Sequence, residues 1–273
     1  MITGKILGNR YVANGQSAEI SGFVPDMSAE TYYEVVRLID KKILFLDDHL
    51  ERLRKSVSGS TLESPGDQVI ITNLRLLINE NPFTTGNIRI CLQKTDDSTP
   101  SLQCYYVPYV YPDQSMYLKG VELAIYPHRR PNPGIKKWDD QFRRSVGKFI
   151  RDKGVYEAVL MNPEKQLTEG SRSNIFFIDQ EGSMITVPET QILPGITRKY
   201  VLQIARKHDI RLIEKIVPMN ELDTMVSAFI SGTSPKVLPV KQIDKYYFNV
   251  DLPLLHLLKD EFEQVVKEHL TEL

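Results

Sequence analysis

The chain has 273 residues, 41% hydrophobic and 25% charged, with a formal net charge of -1. That length predicts one large or two smaller domains. The charge supplies no field for nucleic acid or an anionic membrane, and no apolar run approaches the roughly 20 residues of a membrane span. Residues 1–10 contain no apolar stretch of signal-peptide length. Cys91 and Cys104 are too few for a disulfide framework or a zinc site and fit reduced thiols in a cytoplasmic protein, with one disulfide left open.

In chain order, residues 32–37 and 42–45 read as strands joined by a turn at Asp40 and Lys41. Asp47 or Asp48 is placed to cap a helix over 49–57, and an apolar-rich helix over 68–78 ends before Pro82. Strands are predicted at 87–93 and 102–110 around a polar turn at 96–101. The polar segment 111–119, with Pro112 and Asp113, suggests a boundary between a small domain (1–112) and a larger one (113–273). Then follow a strand at 121–126, a Pro-rich loop at 129–134, and a helix at 142–153 with Phe142, Val146, Phe149 and Ile150 on one face. Strands at 156–161 and 175–178 bracket a hairpin, and a helix spans 196–208. A buried strand at 228–230 and an amphipathic helix at 252–273 close the chain. The alternation predicts an α+β protein with mixed sheets.

Four segments carry possible chemistry. In Gln191-Ile-Leu-Pro-Gly-Ile-Thr-Arg198, the amides of Gly195, Ile196 and Thr197 open a helix, where phosphate binds well; an ordinary capped helix start is the plainer reading. Ser231-Gly-Thr-Ser-Pro235 follows a buried strand and suits an amide nest for an anion, or a simple turn. In Leu167-Thr-Glu-Gly-Ser-Arg-Ser-Asn174, Glu169 is expected in a tight turn, where it either pairs with a protonated ring nitrogen or faces solvent. Lys136 and Lys137, beside the only Trp, are candidates for a Schiff-base lysine, which must be partly desolvated to be a nucleophile; solvated surface lysines are the alternative.

Together these segments resemble the class IV (fold-type IV) pyridoxal 5′-phosphate (PLP) aminotransferases, which include branched-chain and D-amino acid aminotransferases and 4-amino-4-deoxychorismate lyases. The resemblance runs from about residue 33 to residue 240, with four motifs in the family's order. His49-Leu-Glu-Arg-Leu53 resembles the phosphate-binding arginine motif, which implies that role for Arg52. Thr168-Glu-Gly with Ser173-Asn174 resembles the cofactor-nitrogen motif, giving Glu169, Ser173 and Asn174. Leu193-Pro-Gly-Ile-Thr-Arg198 implies phosphate contacts from Gly195, Ile196 and Thr197, and Ser231-Gly-Thr-Ser before Pro239-Val240 implies them from Thr233 and Ser234. Ile135-Lys136-Lys137-Trp138-Asp139 resembles the catalytic-lysine motif, with Lys136 as the better match and Lys137 one residue away.

The resemblance implies a two-domain fold with PLP between the domains, held as a Schiff base on Lys136, and a homodimer. The implied reaction exchanges an amino group between an α-amino acid and a 2-oxo acid. Lyase chemistry that eliminates pyruvate, or a non-enzymatic relic of the fold, are the alternatives. Tyr33 aligns with a substrate-side tyrosine, and Arg89 in Asn87-Ile-Arg-Ile90 partly resembles the branched-chain type. The family's Gly-Asp-Gly segment is replaced by Met27-Ser-Ala-Glu30, the tyrosine after the lysine motif is missing, and Lys94-Thr-Asp-Asp97 stands where D-enzymes carry their carboxylate trap.

Overall fold

The computed structural model describes residues 6–23, 30–94 and 100–273. Residues 27–29 and 95–97, where two of the departures from the family pattern fall, lie outside the described residues, as does most of the expected turn at 96–101. The chain forms two compact units: residues 1–110 with 135–141 and 268–273, and residues 111–134 with 142–267. No described helix is long and apolar enough to cross a membrane.

The first unit is built on strands β1 (Leu7–Ala13), β2 (Gln16–Glu19), β3 (Thr31–Ile39), β4 (Lys42–Leu44), β5 (Gly86–Lys94) and β6 (Pro100–Val107), with helices α1 (Leu46–Val57) and α2 (Asp67–Asn79). They form one sheet in the order β4-β3-β5-β6-β1-β2, and the last strand of the chain, Leu270–Thr271, pairs with β4 at its edge. The predicted helix over 252–273 therefore stops early, and its final residues are strand. Asp40 and Lys41 adopt φ of 49° and 62°, the two left-handed residues that a two-residue hairpin requires. Asp47 and Asp48 do not cap α1: the cap is Phe45, with φ 56° and no side-chain hydrogen bond, and the two aspartates lie in the first turn, where they favour the helix dipole.

Side-chain alternation along the antiparallel strands divides this sheet into two faces. Tyr32, Val36, Leu38, Ile88, Ile90, Leu92, Cys104 and Tyr106 pack under Leu46, Leu50 and Leu53 of α1 and Ile70, Leu74 and Leu77 of α2. Tyr33, Cys91, Tyr105 and Val107 form the opposite cluster, with Val35 and Trp138 against it. Cys91 and Cys104 are free, buried and on opposite faces, so the single disulfide left open is absent.

The second unit contains β7 (Val121–Pro127), β8 (Glu157–Met161), β9 (Gln166–Gly170), β10 (Asn174–Ile178), β11 (Met184–Thr186), β12 (Leu212–Glu214), β13 (Val217–Pro218), β14 (Ser227–Gly232), β15 (Lys236–Ile243) and β16 (Tyr246–Tyr247). Its helices are α3 (Gln114–Lys119), α4 (Asp140–Lys153), α5 (Ile196–Lys207) and α6 (Pro253–Glu268). The strand order is β12-β11-β10-β14-β15-β7-β8-β9-β13, with β16 beside β15. The β15–β7, β7–β8 and β11–β12 pairs are parallel, giving the mixed sheet expected of an α+β chain. One face buries Leu123, Val159, Ile175, Phe177, Ile230 and Leu238. On the other face Phe176 and Phe229, paired across β10 and β14, stack with ring centroids 4.7 Å apart.

Candidate active site

Glu34 lies on the α1-facing side of β3, and His49 and Arg52 lie three residues apart on α1, a spacing that puts them on one face. Glu34 is 0% exposed. Arg52 Nε donates to its Oε1 at 2.7 Å, Arg52 Nη2 donates to Oε2 at 2.6 Å, and His49 Nδ1 meets Oε2 at 2.8 Å. Burial alone would raise the Glu34 carboxyl, but the attraction and hydrogen bonds of Arg52, with those of His49, hold it well below the usual carboxylate range. Burial wins at His49 and pushes its imidazole below the ordinary histidine value, so the neutral ring with a proton on Nδ1 satisfies Glu34.

The segment carrying both candidate lysines pairs with β3. Tyr33 N–H donates to the Lys136 carbonyl at 3.2 Å, and Trp138 N–H donates to the Thr31 carbonyl at 2.8 Å. Along such an extended segment neighbouring side chains diverge. Lys136 Nζ sits 4.8 Å from the Tyr33 ring centroid and is half-buried; Lys137 Nζ sits 5.6 Å from the Tyr32 ring and is exposed. Trp138 returns to the Tyr33 side, its ring centroid 5.4 Å away.

Arg89, on β5 opposite Val35 and Tyr105, joins the same cluster. Its guanidinium carbon lies 4.7, 5.7 and 5.8 Å from the ring centroids of Trp138, Tyr33 and Tyr105. Nη1 makes one long contact, 3.4 Å, with the Tyr105 hydroxyl, and Nε has no hydrogen-bond partner among the described residues. No described carboxylate forms an ion pair with Arg89.

In the second unit Glu169 is in β9 and is 3% exposed, so the expected turn is a strand and the solvent-facing alternative is excluded. Arg130 Nε donates to its Oε1 at 2.7 Å, and the Leu193 N–H donates to Oε2 at 3.1 Å. The second bond ties Glu169 to the turn that opens α5. Asn174 Nδ2 holds the Leu193 carbonyl at 2.9 Å, and a Cβ at position 195 would overlap the Asn174 amide oxygen, so only glycine fits there. Gly195 caps α5, with no side-chain cap hydrogen bond at the helix start, and Ile196 and Thr197 are buried in its first turn.

Ser173 Oγ donates to Glu157 at 3.0 Å and Ser171 Oγ to the same carboxylate at 3.2 Å, which pins the turn between Glu169 and Asn174. Ser231 is paired on β14 opposite Asn174; its hydroxyl is buried without a hydrogen-bond partner among the described residues. Thr233 and Ser234 form the turn after β14. Sequence reasoning missed Glu34, His49, Arg130, Trp138 and Ser231. His49 was visible as part of the Arg52 motif, and Trp138 by its two-residue spacing from Lys136; a lone Arg in a Pro-rich loop gave no signal for Arg130.

The model of the amino-transferase class IV family matches residues 31–243. The chain belongs to the class IV aminotransferase family. A D-alanine aminotransferase from Bacillus licheniformis is 26% identical over 251 residues, covering 86% of this chain and 88% of the relative. A putative branched-chain-amino-acid aminotransferase from Methanocaldococcus jannaschii is 26% identical over 261 residues, covering 90% of each. The crystal structure of a branched-chain aminotransferase from Thermoproteus uzoniensis, solved with norvaline, superposes with a TM-score of 0.80 at 23% identity, over 97% of this chain and 99% of that one.

Class IV aminotransferases are PLP-dependent enzymes that move amino groups, and this chain is one of them. Its residues fit that cofactor. The second unit has a buried carboxylate in Glu169, a helix start at Gly195 left clear of side-chain caps, and the unpartnered Ser231 hydroxyl. The first unit has a half-buried lysine, Lys136, in an aromatic setting.

Proposed function

We propose that this aminotransferase exchanges an amino group between an α-amino acid and a 2-oxo acid, with Lys136 as the lysine that holds PLP and moves the proton at the substrate Cα. The observation that carries this choice is the divergence of the two lysines beside β3. Lys136 lies with Tyr33, Trp138 and Arg89, whereas Lys137 is exposed on the opposite side. When bound, PLP supplies the electron sink for bonds broken at Cα.

Glu169 holds the ring nitrogen protonated, oriented by Arg130 and the Leu193 amide. The amides of Gly195, Ile196 and Thr197 hold the phosphate with Arg52, Thr233 and Ser234, and Ser173 and Asn174 support the turn between Glu169 and the phosphate end. Arg89 receives the substrate carboxylate: a half-buried guanidinium with no carboxylate partner among the described residues and a buried, unpartnered Nε is completed by an incoming anion. Tyr33 lines that position. The family resemblance supports a homodimer, and the two free buried thiols are in keeping with a cytoplasmic setting.

A panel of L- and D-amino acids, with 2-oxoglutarate or pyruvate as acceptor, tests the reading. Transfer from at least one donor is expected. Silence across the panel, with pyruvate released from aminodeoxychorismate, would move the chain to the lyases. Light scattering of the purified protein should give twice the 31.3 kDa chain mass.

A further inference from the structure

We propose that Glu34 is a positioning residue for the cofactor phosphate, acting through Arg52; this rests on the reading of Arg52 as a phosphate contact. A fully buried carboxylate facing an apolar helix interface is a poor choice for stability alone, because well-packed apolar residues in place of a buried ion pair are often neutral or stabilising. Its geometry indicates a different use. Glu34 takes Nε and Nη2 of Arg52 together, at 2.7 and 2.6 Å, and this two-point grip fixes the plane of the guanidinium as well as its location.

A free arginine side chain has many rotamers, and a clamp removes that freedom before a ligand arrives. His49, one helical turn earlier, takes a further position on Oε2 at 2.8 Å and keeps the carboxylate from turning. With His49 neutral, Arg52 and Glu34 sum to zero charge, so Arg52 acts on phosphate through directed hydrogen bonds more than through net charge. The described side-chain contacts of Glu34 are to Arg52 and His49, so its reach to a phosphate runs through Arg52.

The test is titration of cofactor-free protein with PLP, and in parallel with pyridoxal, which lacks the phosphate. The proteins compared are wild type, Glu34→Gln, Arg52→Ala and the double variant. Glu34→Gln should weaken PLP binding about 10-fold, the loss of one charge-assisted interaction. Pyridoxal affinity should stay within about 2-fold, and the substitution should add little to the loss in Arg52→Ala, since coupled residues are not additive. Glu34→Asp keeps the charge but shortens the reach, and should show the same selective loss if Glu34→Gln folds poorly. Equal weakening of PLP and pyridoxal, or full additivity with Arg52→Ala, would overturn the inference. A loss in Arg52→Ala with none in either Glu34 variant would overturn it alone, whereas unchanged PLP affinity in Arg52→Ala would remove the phosphate reading of Arg52 as well.

Discussion

The first unit handles two half-buried arginines in opposite ways. Arg52, on the helix-covered side, is gripped at two points by Glu34 and backed by His49, so its charge is balanced inside the fold. Arg89, on the other side, lies among Trp138, Tyr33 and Tyr105 with an unpartnered Nε and no carboxylate among the described residues. In the proposed reading, the arginine with a built-in counter-ion serves for its direction, and the one left with aromatic faces takes the charge of an incoming substrate. The lysines of the neighbouring segment fall on the same two sides, and Lys136 shares the side of Arg89.

The largest effect should come from the lysine. Lys136→Ala should remove the visible cofactor band and lower turnover by at least about 1,000-fold, while Lys137→Ala stays within about 2-fold of wild type. The reverse pattern in steady-state rates would shift the lysine assignment by one residue. Glu169→Gln should retain PLP, by its absorption spectrum, yet lose about 100-fold in kcat, because a neutral amide does not keep the ring nitrogen protonated. Unchanged kcat would leave Glu169 as a structural strand residue that anchors Arg130.

Arg89→Leu sharpens the comparison directly. It should raise KM for the amino acid about 10- to 100-fold with a smaller change in kcat, the signature of lost carboxylate binding. It should cost little in thermal stability, because no internal ion pair is broken; a large fall in melting temperature with unchanged KM would make Arg89 structural.

The balanced side predicts a pH effect. The Glu34 carboxyl is held below its ordinary value of 4.5, so its contribution is present above that pH and is lost as pH falls. The His49 imidazole is held below its ordinary 6.5, so the unfolded chain takes up a proton there before the folded one, and stability falls in the same direction. Between about pH 7.5 and about pH 5 the melting temperature should therefore fall through this site, and His49→Gln should flatten that fall. A wild-type melting temperature unaffected by pH in that window would contradict the burial-driven shift at His49.

Much of this was legible in the chain. Hydrophobic period and turn residues gave β3, β5, α2, α4 and α5 to within a few residues, and the four motifs gave the family. What escaped was set by distant partners. Strands of two or three residues, such as β11, β12 and β13, exist because a neighbour offers a ladder. Glu169 looked like a turn residue because Gly170 follows it, yet β8 and β13 recruit that stretch as strand. The last residues read as helix by composition, but the edge of β4 draws Leu270 and Thr271 into pairing. Arg52 could be named from its motif, whereas its partner Glu34 is 18 residues away in a strand that reads as apolar.

The central assignment is Lys136 as the residue that holds PLP. Borohydride reduction of the PLP-loaded protein makes a lysine–cofactor link permanent, and peptide mass mapping then locates it. The phosphopyridoxyl mass should fall on Lys136 alone; a label on Lys137, or none on the segment at all, would contradict the assignment.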